Sequence, residues 1–427
     1  METAQTGHLR RLALGTVPLA GESLISWLGA VGRDHGIGRE AAARITGITP
    51  ALSPSGSVLN MRDLVFCLSD QQVAAVGKTT DLSAQAAHDM TWQRFLGTAL
   101  PRQLPAPEKW YRAAPQQDMR HQIRLHGVST ETLRICPPCL EETGGRWPLS
   151  WSLPWAFACP RHRCYRLDHC PECGQPLLCT SSGIQCGRRS GNPDGTRQVC
   201  TADLRRLPTV AAEDQELLDL QQHLFDHLES GADRRAARAD FADLWAMFCV
   251  AVFAGHPDHA EGADKPVQKA FTEFCASRDS QLDRRVWMSQ SRSPTPLLFA
   301  AAVRIAASIV FAEDPFDAAD ALCSLRAFPR PDEVSYVRRA WANHHLQRAP
   351  QHATRRLKDV ITALQAPPYT KLSESLPHRF VGVDTEALEQ YPPPPPGTRY
   401  LITPDELAYL DPELAQAIWA RFAAQAR

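Results

Sequence analysis

Nine of the chain's thirteen cysteines fall between Cys136 and Cys200. Six of the nine stand in the stretch "CPPCLEETGGRWPLSWSLPWAFACPRHRCYRLDHCPECG", from Cys136 to Gly174. Such clustered thiols must hold either one another or a metal, and the redox compartment decides which. Arg10 and Arg11 precede "LALGTVPLAG", which mimics a signal peptide, but Pro18 and Gly21 interrupt it and "ESLISWL" resumes as a helix. The most apolar run, "PLLFAAAVRIAASIVFA" (296–312), is short for a membrane span and carries Arg304 in its middle. The expectation is therefore a cytoplasmic protein with no membrane segment. Thiols stay reduced there, and these cysteines read as metal ligands.

Zinc takes four ligands in a tetrahedron, and a C-x-x-C turn supplies two of them. Cys136 and Cys139 make the first such pair, with Pro137 and Pro138 in the turn. Cys159 and His162, in "CPRH", repeat the spacing and complete a Cys3His set. Cys164 is the rival to His162. Cys170 and Cys173 open a second set in "CPECG", where Gly174 lets the backbone curl back. Its closing pair is Cys186 and Cys200, a turn expanded by the polar insertion "GRRSGNPDGTRQV", with Cys179 as the rival ligand. Four protein ligands leave no open position for an activated water, so two structural Zn2+ sites are expected and no catalytic residue is assigned. No H-x-E precedes the cluster, as a zinc deaminase would require, and H-E-x-x-H is absent. "AVGKTT" resembles half a phosphate loop, but Gln72 stands where the first glycine belongs. "ANHHL" (342–346) lies on an expected amphipathic helix without companion ligands. Cys67, Cys249, Cys275 and Cys323 stand alone in helical segments and read as small buried residues.

A chain of 427 residues exceeds one core, and its 44% hydrophobic content predicts folded domains. Residues 1–18 read as a loose lead-in. Residues 19–112 read as a helical, helix-turn-helix-like domain. In "GESLISWLGAVGRDHGIGREAAARITGI" the apolar residues Leu24, Trp27, Leu28 and Val31 recur at helical spacing, Ser23 can cap, and Gly36, Gly38 and Gly47 break the run. "NMRDLVFCLS", "DQQVAAVGK" and "DLSAQAAHDMTWQRFL" follow as further helices, with Asp70 and Asp81 as expected N-caps. Residues 113–206 hold the metal module, entered through the Pro-punctuated linker "LPAPEKWYRAAPQQ" (104–117). Residues 207–427 read as a helical domain, in which 296–310 is a buried core helix, "EVSYVRRAWANHHLQR" is amphipathic, "YPPPPPG" is a stiff spacer and "TPDELAYLDPELAQAIWARFAAQ" is a capped closing helix. The fold class expected is mainly α, with a tandem zinc-knuckle module that carries a small β-hairpin.

Net charge is −1, so any nucleic-acid surface must be local. The module's arginines are one candidate: Arg146, Arg161, Arg163, Arg166, Arg188, Arg189, Arg197, Arg205 and Arg206. The helix pair "DQQVAAVGK" and "DLSAQAAHDMTWQR" is another, with Lys78 at the turn and Gln85, His88 and Arg94 as the polar reach of a recognition helix. So few cations predict slight base readout and mainly phosphate contact. Trp147, Trp151 and Trp155 read as a small hydrophobic core on the knuckles.

Together, "ESLISWL", "CPPCL", "WSLPWAFACPRH", "RLDHCPECGQPL" and "CTADL" resemble the TniQ family over about residues 20–206. Beyond that the likeness is one of character, through helices and "SLPHRF" (375–380). The resemblance implies a non-enzymatic adaptor for DNA transposition that marks a DNA target and recruits an AAA+ ATPase and its transposase. Some members of the family serve CRISPR-associated transposons, so a CRISPR effector or another target-recognition protein is an implied partner, and a homodimer an implied assembly. The split second knuckle departs from the family pattern and leaves that site's fourth ligand open. The competing readings are a zinc-supported nuclease and a stand-alone transcriptional regulator.

Overall fold

The structure, a computed structural model, describes residues 11–48, 68–100, 133–178, 184–191, 197–229, 233–280, 294–327 and 354–363. The fold is mainly helical with one small three-stranded sheet. The chain divides into two compact units, Met1–Ala237 with Met288–Phe299, and Arg238–Trp287 with Ala300–Arg427.

The first unit opens with α1 (Leu24–Asp34). Ser23 caps it, its Oγ accepting from Ser26 N at 3.1 Å, as its position predicts. Gly32 lets the chain fold back: Ile37 N donates to Gly32 O at 2.8 Å, and a Cβ on Gly32 would stand 2.7 Å from Ile37 O. α2 (Arg39–Ile45), α3 (Asp70–Thr80) and α4 (Ala84–Asp89) follow. Leu24, Trp27, Leu28 and Val31 of α1 pack with Ala42, Val73, Val76 and Met90 in one buried cluster. Three local expectations shift by a few residues. Ser69, not Asp70, is the N-cap of α3, and it forms a capping box with Gln72. Asp81 is not an N-cap but ends α3 in the left-handed region, at φ 62°, and Ser83 caps α4. The helix expected over 81–96 breaks at Thr91, which is extended and donates from both N and Oγ1 to His88 O; a 3-10 turn over Trp92–Phe95 follows. Residues 11–18 form no helix or strand but are tied down, Leu12 N to Thr79 O at 2.9 Å and Trp27 Nε1 to Thr16 O at 2.8 Å.

The cysteine-bearing part begins with Ile135, which exchanges backbone hydrogen bonds with Leu167. α5 (Pro137–Glu142) has proline at its first positions, where a missing N–H costs nothing. β1 (Ala158–Cys159) and β2 (Cys164–Tyr165) form a tight hairpin, in the register Ala158↔Tyr165 and Cys159↔Cys164. β3 (Arg189–Gly191) and β4 (Arg197–Val199) form a separate antiparallel ribbon, and β5 (Val210–Ala211) adds to β2, giving the order β1-β2-β5. α6 (Gln215–Glu229) closes this part. Its Gln221 is fully buried, accepting from Phe157 N and Ala158 N and donating to Trp155 O, each at 2.8 Å. Trp147, Trp151 and Trp155 are all buried, as a small hydrophobic core requires. Buried Glu22 pairs with Arg146, Leu149 N donates to Gly21 O at 2.7 Å, and Trp92 Nε1 donates to Ser152 Oγ at 2.8 Å. These bonds stitch the N-terminal helices to the cysteine-bearing part.

The second unit carries most of α7 (Arg234–Ala254), all of α8 (Lys265–Ser280), most of α9 (Pro296–Val310), then α10 (Pro315–Ala327) and α11 (Arg355–Ala363). Ala300–Val303, Ala306 and Ile309 are buried, so α9 is the core helix its composition predicts. Cys249 and Cys275 are buried in helices. Arg278 donates to Val252 O and Gly255 O at 2.7 Å each. Asp243 is buried and bonded to Thr354; burial pushes its carboxyl up from the ordinary range and the Thr354 hydrogen bonds oppose this. No helix of the described residues is long and apolar enough to cross a membrane. Cys67, the rival ligand Cys179, the side chain of Cys323, the linker, the helix expected over 333–348, the proline run and the expected closing helix lie outside the described residues.

Candidate metal centre

The first ligand group assembles from three local pieces. Cys136 stands just before α5, and Cys139 lies in its first turn. Cys159 sits on β1 and His162 in the loop that joins β1 to β2. Arg163, at φ 47°, supplies the left-handed residue that turns this loop back to β2. His162 Nδ1 then lies 3.5 Å from Cys136 Sγ, 3.2 Å from Cys139 Sγ and 3.5 Å from Cys159 Sγ. Cys139 Sγ and Cys159 Sγ are 3.6 Å apart. A zinc tetrahedron with Zn–S about 2.3 Å and Zn–N about 2.0 Å has edges of roughly 3.5–3.8 Å. The imidazole's other nitrogen, Nε2, is 3.2 Å from Glu142 Oε1. In metal sites a carboxylate in this place orients the ligating histidine. Glu142 was not singled out from sequence; its signal is the position, one helical turn after Cys139 on the same short helix.

The second group is a knuckle against a ribbon. Gly174 adopts φ 66° and donates to Cys170 O at 2.8 Å, curling the chain so that Cys170 and Cys173 face one point. Cys186 and Cys200 come from opposite strands of the ribbon that continues into β3 and β4. Gly187 N donates to Cys200 O at 3.0 Å, and Cys200 N to Arg188 O at 2.8 Å. The polar insertion between them thus extends a hairpin, and pairing restores the closeness that sequence distance hides. Cys170 Sγ is 3.9 Å from Cys200 Sγ, and Cys173 Sγ is 3.7 Å from Cys186 Sγ. In each group the four donor atoms lie within 4.8 Å of one another.

The chemistry of the donor sets fits a cation. Hydrogen bonding with the Cys139, Cys159 and Cys164 thiols pushes the Cys136 thiol down from its ordinary range. The same contacts to Cys136 push the Cys139 thiol up, with burial adding to the effect. In the second group burial pushes Cys186 and Cys200 up. Several thiols cannot ionise side by side in so small a volume unless a positive ion joins them. Four protein donors close either coordination sphere.

The residues nominated for nucleic-acid contact are scattered. Lys78 is exposed on the last turn of α3. Gln85, His88 and Arg94 line a cleft of about 320 Å³ that His227, Glu229 and Arg234 also line. Arg94 is 2.6 Å from Glu229 Oε2, and Gln85 Nε2 donates to Asp89 at 2.8 Å. Arg161 bonds Glu142 at 3.1 Å, and Arg163 donates to Gln215 at 2.9 Å. The side chains of Gln85, Arg94, Arg161 and Arg163 thus each have a polar partner within the chain. α4, the expected reading helix, has six residues.

The TniQ family model matches residues 13–165, which take in α1 to β2 and the whole first ligand group but stop short of the second. No curated protein and no solved structure matches the chain. The match runs from the tied-down lead-in to the end of the first knuckle pair, so residues 13–165 of this chain form a TniQ domain.

Proposed function

We propose that the chain is a zinc-held, non-enzymatic adaptor of DNA transposition. Cys136, Cys139, Cys159 and His162 hold one zinc ion, and Cys170, Cys173, Cys186 and Cys200 hold the other. Each ion supplies a rigid crosslink and no chemistry, because no coordination position is left for water or substrate. The adaptor links target DNA, or a complex that has already found it, to an AAA+ ATPase and so to the transposase. The observation that carries the reading is the family match ending on a closed Cys3His group. The bonds between Glu22 and Arg146 and between Gly21 and Leu149 give the rigidity a use. They keep the N-terminal helices in a fixed relation to the knuckles, so a surface on one and a surface on the other can be read together.

DNA contact in this reading is through phosphate. α4 is short and Arg94 is committed to Glu229, so a helix-turn-helix formed by α3 and α4 adds little base readout. Site choice then needs a partner. The test uses the zinc-loaded chain with duplex DNA. Weak binding is expected, falling at least about tenfold between roughly 50 and 200 mM salt, as counterion release dictates. Salt-resistant, sequence-specific binding by the chain alone would sink the adaptor reading in favour of a regulator. Cleavage of plasmid in magnesium would sink it in favour of a nuclease.

A further inference from the structure

A further thiol, Cys164, stands beside the first ligand group. Cys164 Sγ lies 3.7 Å from Cys136 Sγ, one edge of a sulfur tetrahedron about zinc. The hairpin puts it there. Cys159↔Cys164 is a cross-strand pair, so both side chains leave the same face of the sheet. His162, in the loop between them, lies within reach of all three ligand thiols, whereas Cys164 touches the group through Cys136. The two competitors differ in setting. The His162 side chain is 18% exposed and leans on Glu142, which is 40% exposed and shared with Arg161. Cys164 is 2% exposed.

From this arrangement we infer that Cys164 is a reserve ligand of the first metal centre, taking the coordination position of His162 when the imidazole leaves. The inference rests on reading the group as a zinc site. In the exchange the Zn–N bond breaks, a Zn–S bond forms and the thiol proton passes to solvent. The centre goes from three thiolates and an imidazole to four thiolates, gaining one negative charge. Buried Arg166 is placed to receive that charge. Its Nε donates to Ala158 O at 2.9 Å, and its guanidinium lies 4.6 Å from the Trp151 ring and 5.3 Å from Phe225, with no carboxylate among these contacts. Before metal binds, the hydrogen bond to Cys136 and then burial push the Cys164 thiol up, and the Arg166 charge opposes them. A spare thiol behind the accessible histidine makes the crosslink tolerant: partner binding or strain can displace His162 without releasing the ion.

The test loads the full chain with cobalt, whose ligand-field bands move to longer wavelength as thiolate replaces imidazole. Wild type and H162A should both hold two ions per chain, one for each donor group. The H162A spectrum should show two all-thiolate centres, and H162A/C164S should hold one ion. One ion in H162A, or two with a spectrum that C164S does not change, would overturn the inference. As a readout that does not depend on the folding of H162A, metal transfer to a chelator is also timed in the otherwise native chain. C164A keeps the small buried side chain but removes the donor, and should release the first ion roughly tenfold faster, the scale on which support of a ligand shell acts. Release at the wild-type rate would show that Cys164 merely packs. A wild type that holds no ion at the first group fails the zinc reading itself, which is a separate result.

Discussion

At the scale of single residues, the sequence spacing and the folded geometry agree most closely in the ligand groups, since a knuckle is a local object. Cys200 is the sharpest case, because the polar insertion separates it from Cys186 and only the ribbon register reunites them. Cys200→Ser is therefore expected to lower metal content from two ions to one per chain, while Cys164→Ser leaves two. Elemental analysis of folded samples decides this, and a normal content in Cys200→Ser would move the fourth ligand elsewhere, with Cys179 next in line. Arg94 shows the opposite relation between sequence and fold. Its spacing nominates it for DNA, yet its guanidinium sits on Glu229, whose carboxyl burial pushes up and Arg94 draws down.

Among elements, the joint that matters most is α6 against β1. Gln221 satisfies two backbone donors and one acceptor with a single side chain, in a place water does not reach. Gln221→Leu keeps much of the volume and removes all three bonds. Each buried group left unpaired costs about 1–3 kcal/mol, so a loss of at least about 2 kcal/mol is expected in urea unfolding. The first metal group would feel it too, because Cys159 follows the clamped Ala158. A change below about 0.5 kcal/mol would mean that the strand finds other partners. α3 and α4 teach a related lesson: both are set by side-chain caps, Ser69 with Gln72 and Ser83, more than by their weak apolar stripes.

For the whole molecule, the two four-donor groups sit inside one compact unit that also contains the N-terminal helices. Chelation should therefore loosen more than the knuckles. The expected result in hydrogen exchange is loss of protection over residues 133–229 and in α1, which the Glu22, Gly21 and Ser26 contacts tie to Arg146, Leu149 and Trp147. The helices α8, α10 and α11 have their own buried residues, Phe271, Leu322 and Leu357 among them, and should keep their protection. Uniform loss across the chain, or loss confined to 136–200, would contradict this distribution of support.

How much of this was legible before folding follows from the range of the forces involved. Sequence alone picked out the Cys136–Cys139 and Cys170–Cys173 turns, the Ser23 cap, the turns at Gly36 and Gly47, the buried helix over 296–310 and the TniQ domain, because each depends on residues within a few positions or on apolar periodicity. It placed the caps of α3 and α4 one or two residues off and ran α4 through Thr91, because serine, aspartate and threonine compete for caps with similar energies and neighbours decide the winner. Only the tertiary structure decided that Gln221 reaches back to Phe157, that Arg94 meets Glu229, and that a fourth thiol, Cys164, stands one tetrahedral edge from Cys136. Those pairings join residues far apart in the chain, and their strength comes from burial, which exists only once the chain has closed around them.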